Sequence, residues 1–336
     1  MRLKMKEDIL KLKVQKRIVL ISGLILIGKF IAYFVTNSVG VLTDAMESIV
    51  NVVAGLISPF CFSWGAKPGD KEHPFGHGKI ELISASVEGI LISVAGAMII
   101  YEAVKRLLVP AEVEKLDIGI VIVAVSGVLN YLMGYYSIKT GKKYGSMALV
   151  AGGKHLQSDT YSTIGLVAGL LVLYFTGLAW IDSALALIFG TIIIVTGVSI
   201  LKNTISGLLD TADDKLLGEL ADLLNENREP EWVDIHNTKV IKSGNSIYID
   251  CDLTVPWYYT VSVGHKSGEK LKNVLKGRYS DKVQLTLHLD PCDIFANPKC
   301  SGCIFEKCKY RKSPMATPEK ISLSSFTLNE SEMSDK

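Results

Sequence analysis

Leu42-Thr43-Asp44-Ala45-Met46-Glu47-Ser48-Ile49-Val50-Asn51 lies inside an apolar run from Val39 to Ser63, and its polar members decide how the chain is read. Glu47, Ser48 and Asn51 follow Asp44 at offsets of three, four and seven, so a helix gathers all four on one face. The run is longer than the roughly 20 residues that cross a bilayer. An ionised acid at mid-membrane costs on the order of 3 kcal/mol even on insertion scales. A polar seam between packed helices, satisfied by Ser and Asn hydrogen bonds, accounts for part of this face. Two carboxylates exceed what a seam needs, which points to a pathway for cations.

Working outward, five more stretches reach spanning length: Arg17 to Val35, Ile80 to Leu107, Ile118 to Tyr135, Ala148 to Phe175 and Trp180 to Leu201. With 49% apolar residues and a mean hydropathy of +0.31, the 336-residue chain is too apolar for an ordinary soluble protein of this size. The expected fold class is therefore an α-helical membrane protein of six spans, followed by a small α+β domain where the composition turns polar. A net charge of +2 gives no case for a nucleic-acid partner, and lipid is the expected surroundings. Arg2, Lys4, Lys6, Lys11, Lys13, Lys16 and Arg17 face only two acids in the first 17 residues, which places the amino terminus in the cytoplasm. An even number of spans returns the carboxyl terminus to the same side. No cleavable signal peptide is evident, because the long apolar run lacks a convincing small-residue cleavage site. The domains read as a basic cytoplasmic terminus (1–16), a transmembrane domain (17–203), a cytoplasmic domain (204–292) and a Cys-containing tail (293–336).

The cytoplasmic part reads as helix, strand, strand, helix, strand. Leu216, Leu217, Leu220, Leu223 and Leu224 have helical spacing. Ser243-Gly244-Asn245 separates two strands, and Ile247, Ile249, Cys251 and Leu253 alternate with Tyr248, Asp250 and Asp252 in the second. Gly264 to Leu275 is a second helix, and Val283 to Leu289 a third alternating strand. Such an α-β-β-α-β unit makes a three-stranded sheet covered by helices, of the ferredoxin or metallochaperone kind. Past about Lys312 the sequence is rich in Ser, Glu and Lys, and disorder is expected.

In the fifth span, His155 and Asp159 stand four apart on one helical face. Together with Glu47 and Asn51 they offer four ligand side chains with a formal charge of about −2 when the imidazole is neutral, which balances a divalent cation. Asp44, one turn before Glu47, is a candidate proton relay or supporting hydrogen-bond partner. Between the second and third spans, Asp70, His73 and His77 have spacing suited to a compact divalent site, although a Pro/Gly turn with solvated histidines explains it equally well. Cys61 and Cys251 read as packed thiols. Cys292, Cys300, Cys303 and Cys308 form Cys-x7-Cys-x2-Cys-x4-Cys, a spacing that can hold zinc or an iron–sulfur cluster. Lys79 and Asp210 could pair across a dimer or between domains, with solvated charges as the preferred reading.

These pieces, in this order, resemble the cation diffusion facilitator family of metal/proton antiporters. The second span is similar to the family's Ser-x-x-x-Leu-x-Asp-Ala-x-[His/Asp]-Ser-x-x-Asp stretch, the fifth to its His-x-x-x-Asp, and residues 70–77 to its Asp-x-x-His-Pro-[Phe/Tyr]-Gly-His linker. The resemblance covers approximately residues 10 to 292 and implies a homodimeric transporter, not an enzyme, in the plasma membrane of a prokaryote. It implies a transport site at Glu47, Asn51, His155 and Asp159, and a metal cluster at His236, Asp252, His265, His288 and Asp290 near a dimer contact. A solvated sheet face is the competing reading of the cluster. Glu47 stands where the family has His or Asp, and Asn51 where it has Asp; Asp252 replaces a His of some members. The resemblance implies export of zinc, manganese or iron in exchange for protons; three oxygens and one nitrogen make a hard site, which shifts the expectation towards manganese or ferrous iron while zinc stays in the set. A metal-sensing or scaffold member with little or no transport is the alternative, and Asn51 is the feature that favours it.

Overall fold

The computed structural model describes residues 2–109, 113–143, 147–292, 305–311 and 320–327. Six long helices come first: α1 (Arg2–Thr36), α2 (Val39–Gly65), α3 (Ile80–Leu108), α4 (Leu116–Lys143), α5 (Met147–Thr176) and α6 (Trp180–Leu208). Each contains a stretch long and apolar enough to cross a bilayer, from Lys16–Thr36 in α1 to Trp180–Leu208 in α6. Helices suit that setting because every backbone donor and acceptor is satisfied within the segment. The α1 backbone is helical from Arg2, so the basic terminus extends the first span as the same helix instead of preceding it as a separate segment.

The chain divides into two units, residues 1–64 with 80–205, and residues 65–79 with 206–336. In the first, small residues let helices approach closely, as membrane interfaces require. Gly134 of α4 and Gly153 of α5 face each other so closely that a Cβ on either would sit 2.7 Å from the other's carbonyl oxygen. Ser137 Oγ donates to the Leu149 carbonyl at 2.7 Å across the same pair. The start of α2 is fixed from α6: Asp182 accepts hydrogen bonds from Ser38 Oγ (2.6 Å), Val39 N (2.6 Å) and Gly40 N (3.1 Å). A carboxylate there satisfies free amides of the first turn and complements the positive end of the helix. Asn37 turns the chain from α1 to α2 with a φ of 54°, and its side-chain oxygen accepts from Arg106 at 2.6 Å.

The second unit contains α7 (Asp214–Glu226), β1 (Asp234–Ser243), β2 (Ser246–Val255), α8 (Val261–Tyr279), β3 (Val283–Pro291) and α9 (Leu323–Phe326). Asp213 caps α7 by accepting from Leu216 N at 3.0 Å. The sheet order is β1-β2-β3, with β1 antiparallel and β3 parallel to β2. The parallel pairing needs a long crossover, and α8 supplies it. Leu216, Leu217, Leu220 and Leu224 of α7 pack with Ile249, Cys251 and Leu253 of β2, Leu271 and Leu275 of α8, and the fully buried Trp232. Burial pushes the Cys251 thiol up to about 12, as suits a packed thiol.

The expectation of disorder past Lys312 fails for residues 320–327. Ile321 and Phe326 enter the domain core, and Asn225 clamps the Ile321 backbone with hydrogen bonds of 2.8 and 2.9 Å. Two apolar side chains in a polar segment are enough to dock it where a core has room for them.

Candidate metal centres

The second and fifth spans bring the predicted transport residues together. Asn51 Nδ2 donates to Asp159 Oδ2 at 2.6 Å, and Asn51 Oδ1 lies 3.0 Å from His155 Nε2. An ionised Asp159 only accepts, so it fixes the orientation of the amide. The amide oxygen then faces His155, whose Nε2 is the donor. Asp159 Oδ2 is itself 4.0 Å from His155 Nε2. Glu47, half-buried, lies within electrostatic range of Asp159, Asp44 and Lys29. The two ends of the group differ in exposure, at 51% for His155 and 10% for Asp159 against 2% for Lys29 and 5% for Asp44. The site is thus open beside His155 and closed at Asp44.

Two residues here escaped the sequence reading. Lys29 of α1 pairs with Asp44 Oδ1 at 2.8 Å and donates to Ser48 Oγ at 2.8 Å. The available signal was a lone charge in the apolar run between Arg17 and Thr36. Asp182 was the other, an acid at the start of an apolar helix whose partners lie more than 140 residues away.

The linker places Asp70, His73 and His77 as a compact group. Asp70 is 3.7 Å from His73 Nδ1 and 3.6 Å from His77 Nε2, and the imidazole centroids are 4.4 Å apart. Backbone N–H groups of His73, at 2.7 Å, and Glu72, at 3.0 Å, bond to Asp70 and, His73 foremost, hold its carboxyl below the usual range. The turn needs glycine: Gly76 has a φ of 76°, and a Cβ on Gly69 would strike the Pro74 carbonyl at 2.4 Å. Tyr248 anchors this loop by donating to the Phe75 carbonyl at 3.0 Å. Lys79 and Asp210 form an ion pair at 2.7 Å within the one chain, with both side chains about a third exposed, so their pairing displaces the preferred reading as solvated charges.

On the sheet, strand register builds the third group. His236 stands opposite Asp252, and Asp252 opposite His288, so the three make one row across β1, β2 and β3. Asp290 lies two residues beyond His288, on the same face. A bulge between His236 and Lys239, with Asn237 at a φ of 50°, keeps His236 in register with Asp252 while the rest of β1 shifts by one. His236 Nε2 lies 4.0 Å from Asp252 and 3.9 Å from Asp290; His288 Nδ1 lies 3.1 Å from Asp290. Both His236 and Asp252 are buried, so the solvated-face reading fails at the centre of the row. Asp234, also missed from sequence, sits 3.3 Å from His236 Nδ1, and its nearby carboxylate raises the imidazole pKa above the ordinary range against the opposing effect of burial. His265 is exposed on α8 and joins no group of three potential ligands among the described residues.

Of the tail cysteines, Cys300 and Cys303 lie outside the described residues. Cys292 Sγ accepts from Trp257 N at 3.4 Å, and Cys308 bonds to the neighbouring Tyr258 phenol. Burial first, then that bond, push the phenol above its ordinary range. Tyr310 packs on both aromatics, with ring centroids 5.0 Å from Trp257 and 5.3 Å from Tyr258.

Comparison with known proteins identifies the family. A family model described as the cation efflux transmembrane domain matches residues 16–209, and one described as the cation efflux protein cytoplasmic domain matches residues 212–292. The chain is 33% identical over 262 residues to an uncharacterized transporter, sll1263, of Synechocystis sp., covering 78% of this chain and 84% of that protein. It is 25% identical to the manganese efflux system protein MneP of Bacillus subtilis, over 82% of this chain and 94% of the relative. The cation-efflux pump FieF of Cronobacter sakazakii is 26% identical, with 82% and 91% covered. With six spanning helices, a three-stranded α+β domain and both family models matched in order, the chain is an integral membrane protein that belongs to the cation diffusion facilitator family of cation efflux proteins.

Proposed function

We propose that the protein is a homodimeric secondary transporter that exports a divalent transition metal from the cytoplasm in exchange for protons, across the plasma membrane of a prokaryote. The observation that carries this reading is the Asn51 amide, which joins Asp159 at 2.6 Å and His155 at 3.0 Å between two apolar helices. The metal, as substrate, takes Glu47, Asn51, His155 and Asp159 as ligands. It enters at the exposed His155 side, which is the cytoplasmic side in the orientation set by the basic amino terminus. Metal and proton compete for the same lone pairs, so protonation from the far side weakens ligation and drives release. Alternating exposure of the site completes the cycle.

Three oxygens and one nitrogen suit manganese or ferrous iron better than zinc. The manganese efflux relative is in keeping with that order. Proteoliposomes carrying the wild-type chain and Asn51→Asp, challenged with zinc, manganese and ferrous iron under a pH gradient, test it. The expected result is flux of manganese or iron by the wild type in preference to zinc, with Asn51→Asp keeping that order, since the donors remain three oxygens and one nitrogen, but binding each metal more tightly and releasing it about tenfold more slowly, as the carboxylate adds charge to the site. Absence of flux for every metal tried would favour the second reading, a metal sensor or scaffold. That reading draws on Asn51, whose amide engages both neighbouring ligands.

The sheet group His236, Asp252, His288 and Asp290 and the linker group Asp70, His73 and His77 serve as regulatory metal sites that tighten the dimer, with His265 outside the sheet group of a single chain. The donors fit a divalent ion: in each group, three ligand atoms lie within 4.8 Å of one another. A further metal, zinc or an iron–sulfur cluster, is proposed at Cys292, Cys308 and the two intervening cysteines, on the support of Cys292 and Cys308 meeting adjacent residues Trp257 and Tyr258. Purified Cys292→Ser is expected to lose that metal, read by elemental analysis and by visible absorption for iron and sulfide, while flux through the membrane site continues. Unchanged metal content in Cys292→Ser with Cys308→Ser would rule the tail site out.

A further inference from the structure

Lys29 is the one charged residue between Arg17 and Thr36 in the first span, and it is 2% exposed. Its ammonium lies 2.8 Å from Asp44 Oδ1, 2.8 Å from Ser48 Oγ and 3.5 Å from the Asp44 carbonyl. Thr163 of α5 donates to the same Oδ1 at 3.3 Å. The second carboxylate oxygen, Oδ2, is buried and has no hydrogen-bond partner among the described residues. Asp44 stands one helical turn before Glu47 on the face that carries the transport site. Left to itself, it adds a third carboxylate to Glu47 and Asp159, with a free lone pair beside them. Three negative charges exceed what a dication neutralises, and the excess would oppose release. The Lys29 charge also acts on Glu47 and Asp159.

We propose that Lys29 is a resident counter-cation, which holds Asp44 out of the ligand set so that the site presents two negative charges to the incoming metal. The inference rests on the transport-site reading above and adds to it a residue that sets affinity without touching the metal. Ser48 and Thr163 position the pair, since both hydrogen-bond into it from the two helices that carry the ligands. The same arrangement closes the site at the end away from His155.

The charge assignment predicts that two substitutions act in opposite directions, which a packing role does not. The full-length wild type, Lys29→Met, Lys29→Arg, Asp44→Asn and the double variant Lys29→Met with Asp44→Asn are reconstituted, with manganese as the probe. Apparent KM and maximal flux are measured separately, and manganese binding is followed by calorimetry. Lys29→Met is expected to bind about tenfold more tightly and to turn over several-fold more slowly, because a nearby positive charge has gone and Asp44 is uncovered. Asp44→Asn is expected to bind about tenfold more weakly, because the ammonium is left unbalanced. The double variant returns to within about threefold of wild type, and Lys29→Arg retains wild-type behaviour.

Where Lys29→Met does not fold, the comparison of Asp44→Asn with the double variant still decides: removal of Lys29 must restore affinity in that background. Lys29→Met with unchanged or weaker binding, or a double variant worse than both single ones, overturns the assignment. A wild type that neither binds nor moves manganese, zinc or ferrous iron removes the transport reading itself. A wild type that does so, with single variants shifting in the same direction, removes only the role of Lys29.

Discussion

Asp159→Ala is expected to bring metal flux in reconstituted vesicles down by at least about a hundredfold, to the level of empty vesicles, while the protein remains folded. Of the four proposed ligand positions, this one is expected to lose the most. Asp159 is 10% exposed at the inner end of the site and supplies half of its negative charge. It also fixes Asn51, whose amide is turned towards His155 only because Asp159 accepts at 2.6 Å. Losing the carboxylate therefore removes one proposed ligand and frees a second, Asn51, to rotate. His155→Ala is expected to be milder, because His155 is half exposed and water can take its place at the open end. Asp159→Asn separates charge from shape: it keeps the volume and still fails to transport if the carboxylate charge is what matters. Vesicles loaded with a metal-sensitive dye give the flux, and calorimetry gives binding. Flux above a tenth of wild type in Asp159→Ala would place the site elsewhere.

What the sequence made legible was periodic. Offsets of three, four and seven put Asp44, Glu47, Ser48 and Asn51 on one face, and helical geometry is regular enough for that inference to hold within a single element. Alternation did the same for the core side of β2, where Ile249, Cys251 and Leu253 are buried. What escaped were pairings between elements. Lys29 read as a solitary charge because its partner Asp44 belongs to another helix. Asp234, two residues before His236 and so on the same face of β1, was within reach of alternation, whereas the bulge at Asn237, after which the rest of β1 shifts by one, has no simple periodic signature. Burial of Asp252 was missed: alternation assigns it to the polar side, but the row with His236 and His288 covers it. The docking of Ile321 and Phe326 depends on room in a core built about 100 residues earlier, which local composition does not record.

Gly153→Val is expected to disable the protein without touching any ligand, whereas the adjacent Gly152→Ala is silent. A Cβ at Gly153 would lie 2.7 Å from the Gly134 carbonyl oxygen, 2.7 Å from Ile138 Cγ1 and 2.9 Å from Ile138 N. Two of those three atoms are backbone, so no side-chain rotation relieves the overlap and α5 must move off α4. Overpacking of that kind costs about 3 kcal/mol, a large share of the stability of a typical domain. The movement also reaches the site. His155 lies two residues further along α5, and its 3.0 Å contact with Asn51 depends on the spacing of α5 from α2. Metal–ligand distances tolerate only about 0.2 Å, so a shift of even half an ångström spoils the ligand set. A Cβ at Gly152 meets nothing within 4 Å, and the position is exposed, so Ala there adds no overlap. The two variants thus differ by one residue in position and by a helix–helix contact in consequence. Thermal unfolding in detergent should show Gly153→Val several degrees below wild type, with flux under a tenth, and Gly152→Ala within error of wild type on both measures. Equal behaviour of the two would mean that the close approach of α4 and α5 does not hold the transport site in place.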